Sequence, residues 1–166
     1  MLKLRDVLRG KAERMLVGNP AEWVIRASDP RVVTGPRASA WVKIAEGCNR
    51  KCSFCVIPQL RGLQRSRPAD DVVREVEQLV ASGVREVNLV SQDTMAYGRD
   101  RVEPHARANL AALARRIADV KGLRWLRLFY LYPEKVDDEL IDLLANHPVV
   151  LPYVDMPLQH AADAML

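Results

Sequence analysis

Three cysteines, Cys48, Cys52 and Cys55, fall inside eight residues, and the chain has no others. Thiolates so close together bind zinc, copper(I) or iron–sulfur clusters. Ligand number separates these options. A structural zinc site takes four protein ligands, and a fully protein-held cubane takes four cysteines. With no fourth cysteine, only His105, His147 and His160 offer imidazoles. A zinc site of the three cysteines and His160 is one reading. A 4Fe-4S cubane with three cysteine-held irons and one open iron is another. An open position on a metal is where chemistry happens, as at catalytic zinc. Three free thiols in one loop would have no packing reason. Phe54, inside the same loop, could fill the core, cover a cluster or lie against a ring bound beside it.

Charge singles out the same segment. Residues 47–69 carry Arg50, Lys51, Arg61, Arg65 and Arg67 and no acid, a local +5 against +4 for the whole chain, so the remainder sums to −1. A solvated basic loop is the plain explanation. Compensation of a local anion is the sharper one: cluster thiolates, a ligand carboxylate or RNA. Asn49, Arg50 and Lys51 lie within the loop, and Gly47 permits a tight backbone turn into it.

The elements around this loop must hold it. Trp41 to Ala45 reads as a strand entering it. Pro68 with Asp70 and Asp71 starts a helix. Val72, Val73, Val76, Leu79 and Val80 give that helix one apolar face, and Gly83 ends it. Val84 to Val90 reads as a second strand, with Ser91, Gln92, Asp93 and Thr94 at its C-terminal end. Leu110, Leu113, Ile117 and Val120 have helical spacing. Leu123 to Tyr132 reads as a third strand closed by Pro133. A third helix carries Val136, Leu140, Ile141, Leu143 and Leu144. Val149 to Met156 reads as a fourth strand, and His160 to Leu166 as the start of a fourth helix.

This βα alternation implies an α/β fold with a parallel sheet and right-handed crossovers. A doubly wound sheet and part of a (β/α) barrel both fit. In either, the cysteine loop, Ser91–Thr94, Tyr132-Pro133 and Pro157–His160 gather on the rim at the strands' C-terminal ends. Residues 1–37, punctuated by Pro20, Pro30, Gly35 and Pro36, read as a lead-in and linker, with Val32-Val33 a candidate short strand. Residues 38–166 hold about four βα units. A closed barrel needs more strands, so the chain is expected to be part of a longer protein.

Composition excludes several classes. The chain has 166 residues, 49% hydrophobic and 28% charged, the profile of a soluble globular domain and not of a disordered tail. No apolar run approaches the roughly 18 residues of a membrane span. Met1 to Lys11 mixes Leu with Lys, Arg and Asp and has no signal-peptide core. Three cysteines argue against a disulfide framework. A cytoplasmic protein without a membrane partner is the expectation.

The pattern C-x-x-x-C-x-aromatic-C after the first strand of a βα series resembles the radical S-adenosylmethionine superfamily. That resemblance implies a partial (β/α) barrel and a 4Fe-4S cluster on Cys48, Cys52 and Cys55. S-adenosyl-L-methionine would chelate the open iron. Its one-electron cleavage would yield a 5′-deoxyadenosyl radical that abstracts hydrogen. Glu46 through Pro58, with Arg61-Gly62 and Ser66-Arg67-Pro68, is similar to the methylthiotransferases. Ser91-Gln92-Asp93-Thr94, Ala96-Tyr97-Gly98, Pro152-Tyr153 and Pro157-Leu158-Gln159-His160-Ala161 resemble their ribosomal-protein branch. That branch adds a methylthio group to the β-carbon of an aspartate in the twelfth protein of the small ribosomal subunit. The tRNA branch, which modifies an adenosine beside the anticodon, usually carries Gly-Gln-Asn where this chain has Ser91-Gln92-Asp93.

The resemblance covers about residues 38–166. It implies a parent protein with an N-terminal domain holding a second 4Fe-4S cluster and a C-terminal TRAM domain, neither within this sequence. It also implies an electron donor such as flavodoxin or ferredoxin. Phe54, Gln92, Asp93, Gln159 and His160 are the expected cofactor-binding residues, with polar capping as the rival role for Gln92 and Asp93. No general base is assigned, because hydrogen abstraction by a radical needs none from the protein. The rival class is a non-catalytic zinc-binding module that meets RNA through its basic loop.

Overall fold

A computed structural model describes residues 9–10, 23–32, 34–101, 109–159 and 162. In chain order its elements are β1 (Ser39–Lys43), β2 (Ala45–Glu46), α1 (Ile57–Arg61), β3 (Arg65–Ser66), α2 (Ala69–Ala81), β4 (Glu86–Val90), α3 (Leu110–Ala118), β5 (Trp125–Leu128) and α4 (Asp138–Asn146). Single 3-10 turns occupy Thr94–Ala96 and Pro133–Lys135. Val33, His105, His160 and the expected helix beginning at His160, apart from Ala162, lie outside the described residues.

β1, β4 and β5 form a parallel sheet in that order. The register sets Val42 beside Leu89 and Leu89 beside Leu128. Side chains alternate across a strand, so Ala40, Val42, Val87, Leu89, Leu126 and Leu128 share one face, and all six are buried. Val72, Val76, Leu79 and Val80 of α2, Leu110, Leu113 and Ile117 of α3, and Leu140, Leu143 and Leu144 of α4 join them in one core. Each fully buried Leu or Val adds about 1.5–3 kcal/mol. The helices thus cover one face.

The opposite face carries Trp41, Asn88 and Arg127 in register. Arg127 Nε donates to Glu86 Oε1 at 2.6 Å, and Trp41 packs on Phe129 with ring centroids 4.6 Å apart. Helices on one face and polar or aromatic side chains on the other describe a barrel wall; a doubly wound sheet has helices on both.

Two expected strands are shorter than the apolar pattern suggests. β5 ends at Leu128 because Tyr130 takes φ +61°, a left-handed conformation uncommon for a side-chain-bearing residue. Its N–H donates to Asp155 Oδ2 at 2.9 Å, which turns the chain out of the ladder. The fourth stretch, expected over Val149 to Met156, makes one parallel bridge, Leu126 to Val150. Pro152, lacking an N–H, ends the ladder there. The patterns for α2, α3 and α4 hold with ends moved by a few residues. Asn109 and Asp137 cap α3 and α4 by accepting from the Ala112 and Leu140 N–H groups. The antiparallel pair β2–β3 and the short helix α1 were absent from the sequence pattern, being two-residue and five-residue elements set by loop closure. No helix among the described residues is long and apolar enough to cross a membrane.

Arg67, 0% exposed, anchors the sheet to α2. Nη1 donates to the Lys43 carbonyl at 2.7 Å and to Glu75 Oε2 at 2.6 Å, and Nη2 donates to Asp71 Oδ2 at 2.7 Å. Tyr97, also buried, donates its hydroxyl to the Arg67 carbonyl at 2.8 Å. Burial pushes the Tyr97 phenol up to about 12. The unfolded chain ionises this group near pH 10, so its stability contribution is complete below about pH 10 and is lost as pH rises through about 12. Urea midpoints between pH 9 and 11.5 are expected to fall with pH. Tyr97→Phe, though less stable at neutral pH, should fall less steeply; an equal slope would refute the assignment.

Candidate iron–sulfur and cofactor site

The sequence leaves the sheet after β1 and returns to it through β3, and β2 pairs with β3 to close the neck of the cysteine loop, Ala45 opposite Ser66. Inside that neck the Cys48 N–H donates to the Gly62 carbonyl at 3.1 Å. Asn49 Oδ1 accepts from the Gln64 N–H at 2.9 Å. Gly47, at φ +73°, sits where a Cβ would lie 2.2 Å from the Leu63 carbonyl oxygen. Gly47→Ala is therefore expected to deform the loop. The backbone conformation alone costs about 1–2 kcal/mol, and the overlap adds to it. A lower urea midpoint together with reduced iron uptake would verify this; a parent-like loading curve would contradict it.

Cys48 is buried and Cys52 and Cys55 are half-buried. The Cys55 N–H donates to the Cys52 carbonyl at 3.1 Å, and the Arg50 N–H points to Cys48 Sγ at 3.4 Å. All three cysteines line one cavity of about 400 Å³ with Phe54, Gln92 and Gln159. Tyr130 and Tyr132 form another part of its wall. The rim location expected for a parallel βα sheet thus holds for the cysteine loop, the end of β4, the segment after β5, and Gln159.

The electrostatics of the wall are mixed. Burial pushes the Cys48 thiol up, the hydrogen bond from the Arg50 N–H partly offsets this, and the charge on Asp93 raises it further. Metal binding must then displace a proton from this thiol. Lys43 and Arg50 stand on the cavity wall, Lys43 paired with Glu46 and Arg50 with Asp93 and Glu134. Glu46 is buried beneath the loop, paired with Lys43 and, at 3.6 Å, with Arg61.

The expected cofactor residues divide. Gln92 lines the cavity, and its Oε1 is buried without a hydrogen-bond partner among the described residues. Leaving such an oxygen unpaired costs about 1–3 kcal/mol, which a donor on a bound ligand removes. Gln159 lines the cavity and Phe54, 75% exposed, stands at its mouth. Asp93 is buried behind the wall, off the lining: Oδ2 accepts from Arg50 Nε at 2.8 Å and lies 3.8 Å from Lys135 Nζ. His160 is outside the described residues.

Sequence reasoning passed over Glu134 and Gln64 and placed Arg50 in the cysteine loop without a partner. Arg50 instead bridges Asp93 and Glu134, and the Gln64 amide Nε2 lies 3.4 Å from the Asp93 carbonyl. Nothing in local spacing announces a contact between residues 50 and 134; only the absence of nearby acids in the loop hints that its cations find partners elsewhere.

The donor set fits a cluster better than a single metal ion. Among the described residues no three His, Cys, Asp or Glu side chains meet around one point that could hold a metal ion. A cubane would place each thiolate on its own iron, so its three cysteines surround one cluster and not one ion. Three thiols around a cavity with room to spare, and a buried acceptor without a donor, suit a three-cysteine cluster and a polar organic ligand beside it.

Comparison with known proteins agrees. The Radical SAM superfamily model matches residues 42–166. Ribosomal protein uS12 methylthiotransferase RimO of Sorangium cellulosum is 72% identical, over 100% of this chain and 35% of that protein. The protein of the same name from Syntrophotalea carbinolica is 49% identical, over 95% of this chain and 34% of its own length. Among solved structures, the radical S-adenosylmethionine methyltransferase TsrM from Kitasatospora setae, with cobalamin and a 4Fe-4S cluster bound, aligns with a TM-score of 0.50 at 26% identity, over 66% of this chain and 20% of that one. TsrM with its tryptophan substrate and an S-adenosylmethionine analogue aligns with a TM-score of 0.54 at 25% identity, over 78% and 24%. The chain spans about a third of the length of the curated relatives it matches.

Proposed function

The chain belongs to the radical SAM superfamily, and we propose that it is the cluster-bearing part of a methylthiotransferase acting on ribosomal protein uS12. The reaction adds a methylthio group to the β-carbon of an aspartate of that protein. The observation that carries this reading is the cavity on which Cys48, Cys52, Cys55 and the unpartnered Gln92 amide oxygen converge. The names of the similar proteins favour the ribosomal protein over tRNA as substrate.

Cys48, Cys52 and Cys55 would hold the 4Fe-4S cluster, leaving one iron open. S-adenosylmethionine would lie along the wall formed by Gln92 and Gln159, with Phe54 at the mouth and His160 next in sequence to Gln159. Together these groups supply one-electron cleavage of a sulfonium and hydrogen abstraction. The chain's own side chains do the binding. Gln92 Oε1 accepts a hydrogen bond from the ligand, and Tyr130 and Tyr132 form part of the wall beside it. Asp93 serves the site through Arg50. Residues 38–166 form the N-terminal part of the radical core behind a lead-in of residues 1–37. The second cluster, the remaining strands and the TRAM domain belong to a longer parent protein. Flavodoxin or ferredoxin delivers the electron, in the cytoplasm.

The test is anaerobic reconstitution with iron and sulfide, then EPR of the dithionite-reduced chain with and without S-adenosylmethionine. A reduced-cubane signal that changes on adding the cofactor is expected, since only an open iron responds. One zinc per chain and no sulfide would overturn the reading in favour of the zinc module.

A further inference from the structure

Arg50 is the residue through which three rim segments meet. Its own segment is the cysteine loop; Asp93 follows β4; Tyr132 and Glu134 follow β5. Nε donates to Asp93 Oδ2 at 2.8 Å and Nη1 donates to Glu134 Oε2 at 3.0 Å. The guanidinium plane lies over the Tyr132 ring, 3.5 Å from its centroid. Only a planar fork can present two edges to carboxylates and a face to an aromatic ring at once. Arg50 and Asp93 side chains are 16% and 3% exposed, so the pair is shielded from solvent screening. Nη2 is buried without a hydrogen-bond partner among the described residues. With Lys135 3.8 Å from Asp93, two cations and two carboxylates balance at this rim, with Arg50 on the cavity wall and Glu134 exposed.

We infer that Arg50 is a positioning residue of the cluster site, which clamps the cysteine loop to the ends of β4 and β5 and sets the reduction potential of the cluster held there. This rests on the cluster reading above. Two consequences follow from chemistry. Removing the clamp frees the loop, and partners of metal ligands typically govern metal affinity by about 10–100-fold. Removing the cation leaves Asp93 and Glu134 outweighing Lys135, which disfavours the reduced, more negative cluster and lowers its potential.

The experiment uses the full 166-residue chain, reconstituted anaerobically, and compares it with Arg50→Gln, Arg50→Lys and Glu134→Gln. Two readouts are taken: the rate of iron loss to a chelator and the midpoint potential from an EPR-monitored titration. Arg50→Gln is expected to lose iron about tenfold faster and to titrate at a more negative potential. Arg50→Lys keeps the charge and not the fork, so it should lose iron quickly and titrate near the parent value. Glu134→Gln, on an exposed side chain, should move the potential the other way without changing the urea midpoint. A purely structural role would move iron retention and leave the charge-dependent pattern of potentials absent. Parent-like retention and potential in Arg50→Gln would overturn the inference alone. If Arg50→Gln takes up no cluster, Glu134→Gln decides: a positive shift supports the inference and an unchanged potential overturns it. A parent chain that binds no iron and sulfide overturns this inference and the cluster reading together.

Discussion

Cys48→Ala, Cys52→Ala and Cys55→Ala, each alone, are expected to lose essentially all cluster-bound iron and sulfide after anaerobic reconstitution. The reason is arithmetic of ligands. Among the described residues the cavity wall carries no His, Asp or Glu beside the three cysteines, so a cluster left with two thiolates has no replacement on that wall. Thiolates are soft ligands matched to iron–sulfur chemistry, and a methyl group supplies nothing in their place. The loss should not be a folding effect at Cys52 and Cys55, which are half-buried and pack little. Their unfolding free energies should stay within about 0.5 kcal/mol of the parent. Cys48 is buried at the closed neck of the loop, and its variant should show some destabilisation as well. The measurement is iron and sulfide per chain beside the denaturation curve. Retained iron in any single variant would remove that cysteine from the ligand set, and uniform retention would remove the cluster.

Arg67→Met is expected to destabilise the fold by about 3–5 kcal/mol, the usual cost of removing one partner from a buried ion pair. That is a large share of the 5–15 kcal/mol that holds a typical domain together. The variant leaves the buried Glu75 carboxylate with Arg31 as its one remaining ion-pair partner among the described residues and the Lys43 carbonyl without the Arg67 donor. Asp71 adds a pH signature. Burial pushes its carboxyl up, but hydrogen bonds from Arg67 and from the Ala27 N–H outweigh this and hold it below the usual value of 3.8. A lowered pKa contributes stability that is present above the ordinary value and is lost as pH falls through the folded one. The parent should therefore lose stability steeply below about pH 4, and Arg67→Met should show a shallower acid limb. Replacing Glu75 as well, with Leu, should recover part of the loss, because an apolar pair is often as stable as a buried ionic one. An Arg67→Met chain with a parent-like midpoint would show that the network is dispensable.

Much of the helical scaffold was readable from spacing. Val72, Val76, Leu79 and Val80 recur on one helical face because burial against a sheet demands it, and Gly83 stops the helix at φ +109°. The rim location of Gln92 and the cysteine loop followed from strand order in a parallel sheet. Strand lengths were less readable. Leu123 to Tyr132 is rich in large apolar residues with Arg124 and Arg127 between them, yet Tyr130 turns out of the ladder because Asp155, twenty-five residues later, captures its N–H. Val149 to Met156 carries a strand's composition, and Pro152 allows it a single bridge. A periodicity argument sees side chains and not the backbone partners that extend or end a ladder.

At the site the division is sharper. Three cysteines at fixed spacing name their own chemistry, because ligand type and number are properties of composition and need no coordinates. Asp93 could be placed at the rim in the same way, but its role could not. Whether its carboxylate faces the cavity or the Arg50 guanidinium depends on how the loop after β2 meets the segments after β4 and β5. The same holds for Arg67: the sequence shows it as one cation of the basic segment 47–69, and burial between β1 and α2 turns it into the anchor of the wall. Local chemistry is written along the chain. Charge pairing across 40 or 80 residues is set where the folded rim brings opposite ends of the sequence within hydrogen-bond reach, and a buried charge must find its partner there because water is no longer available.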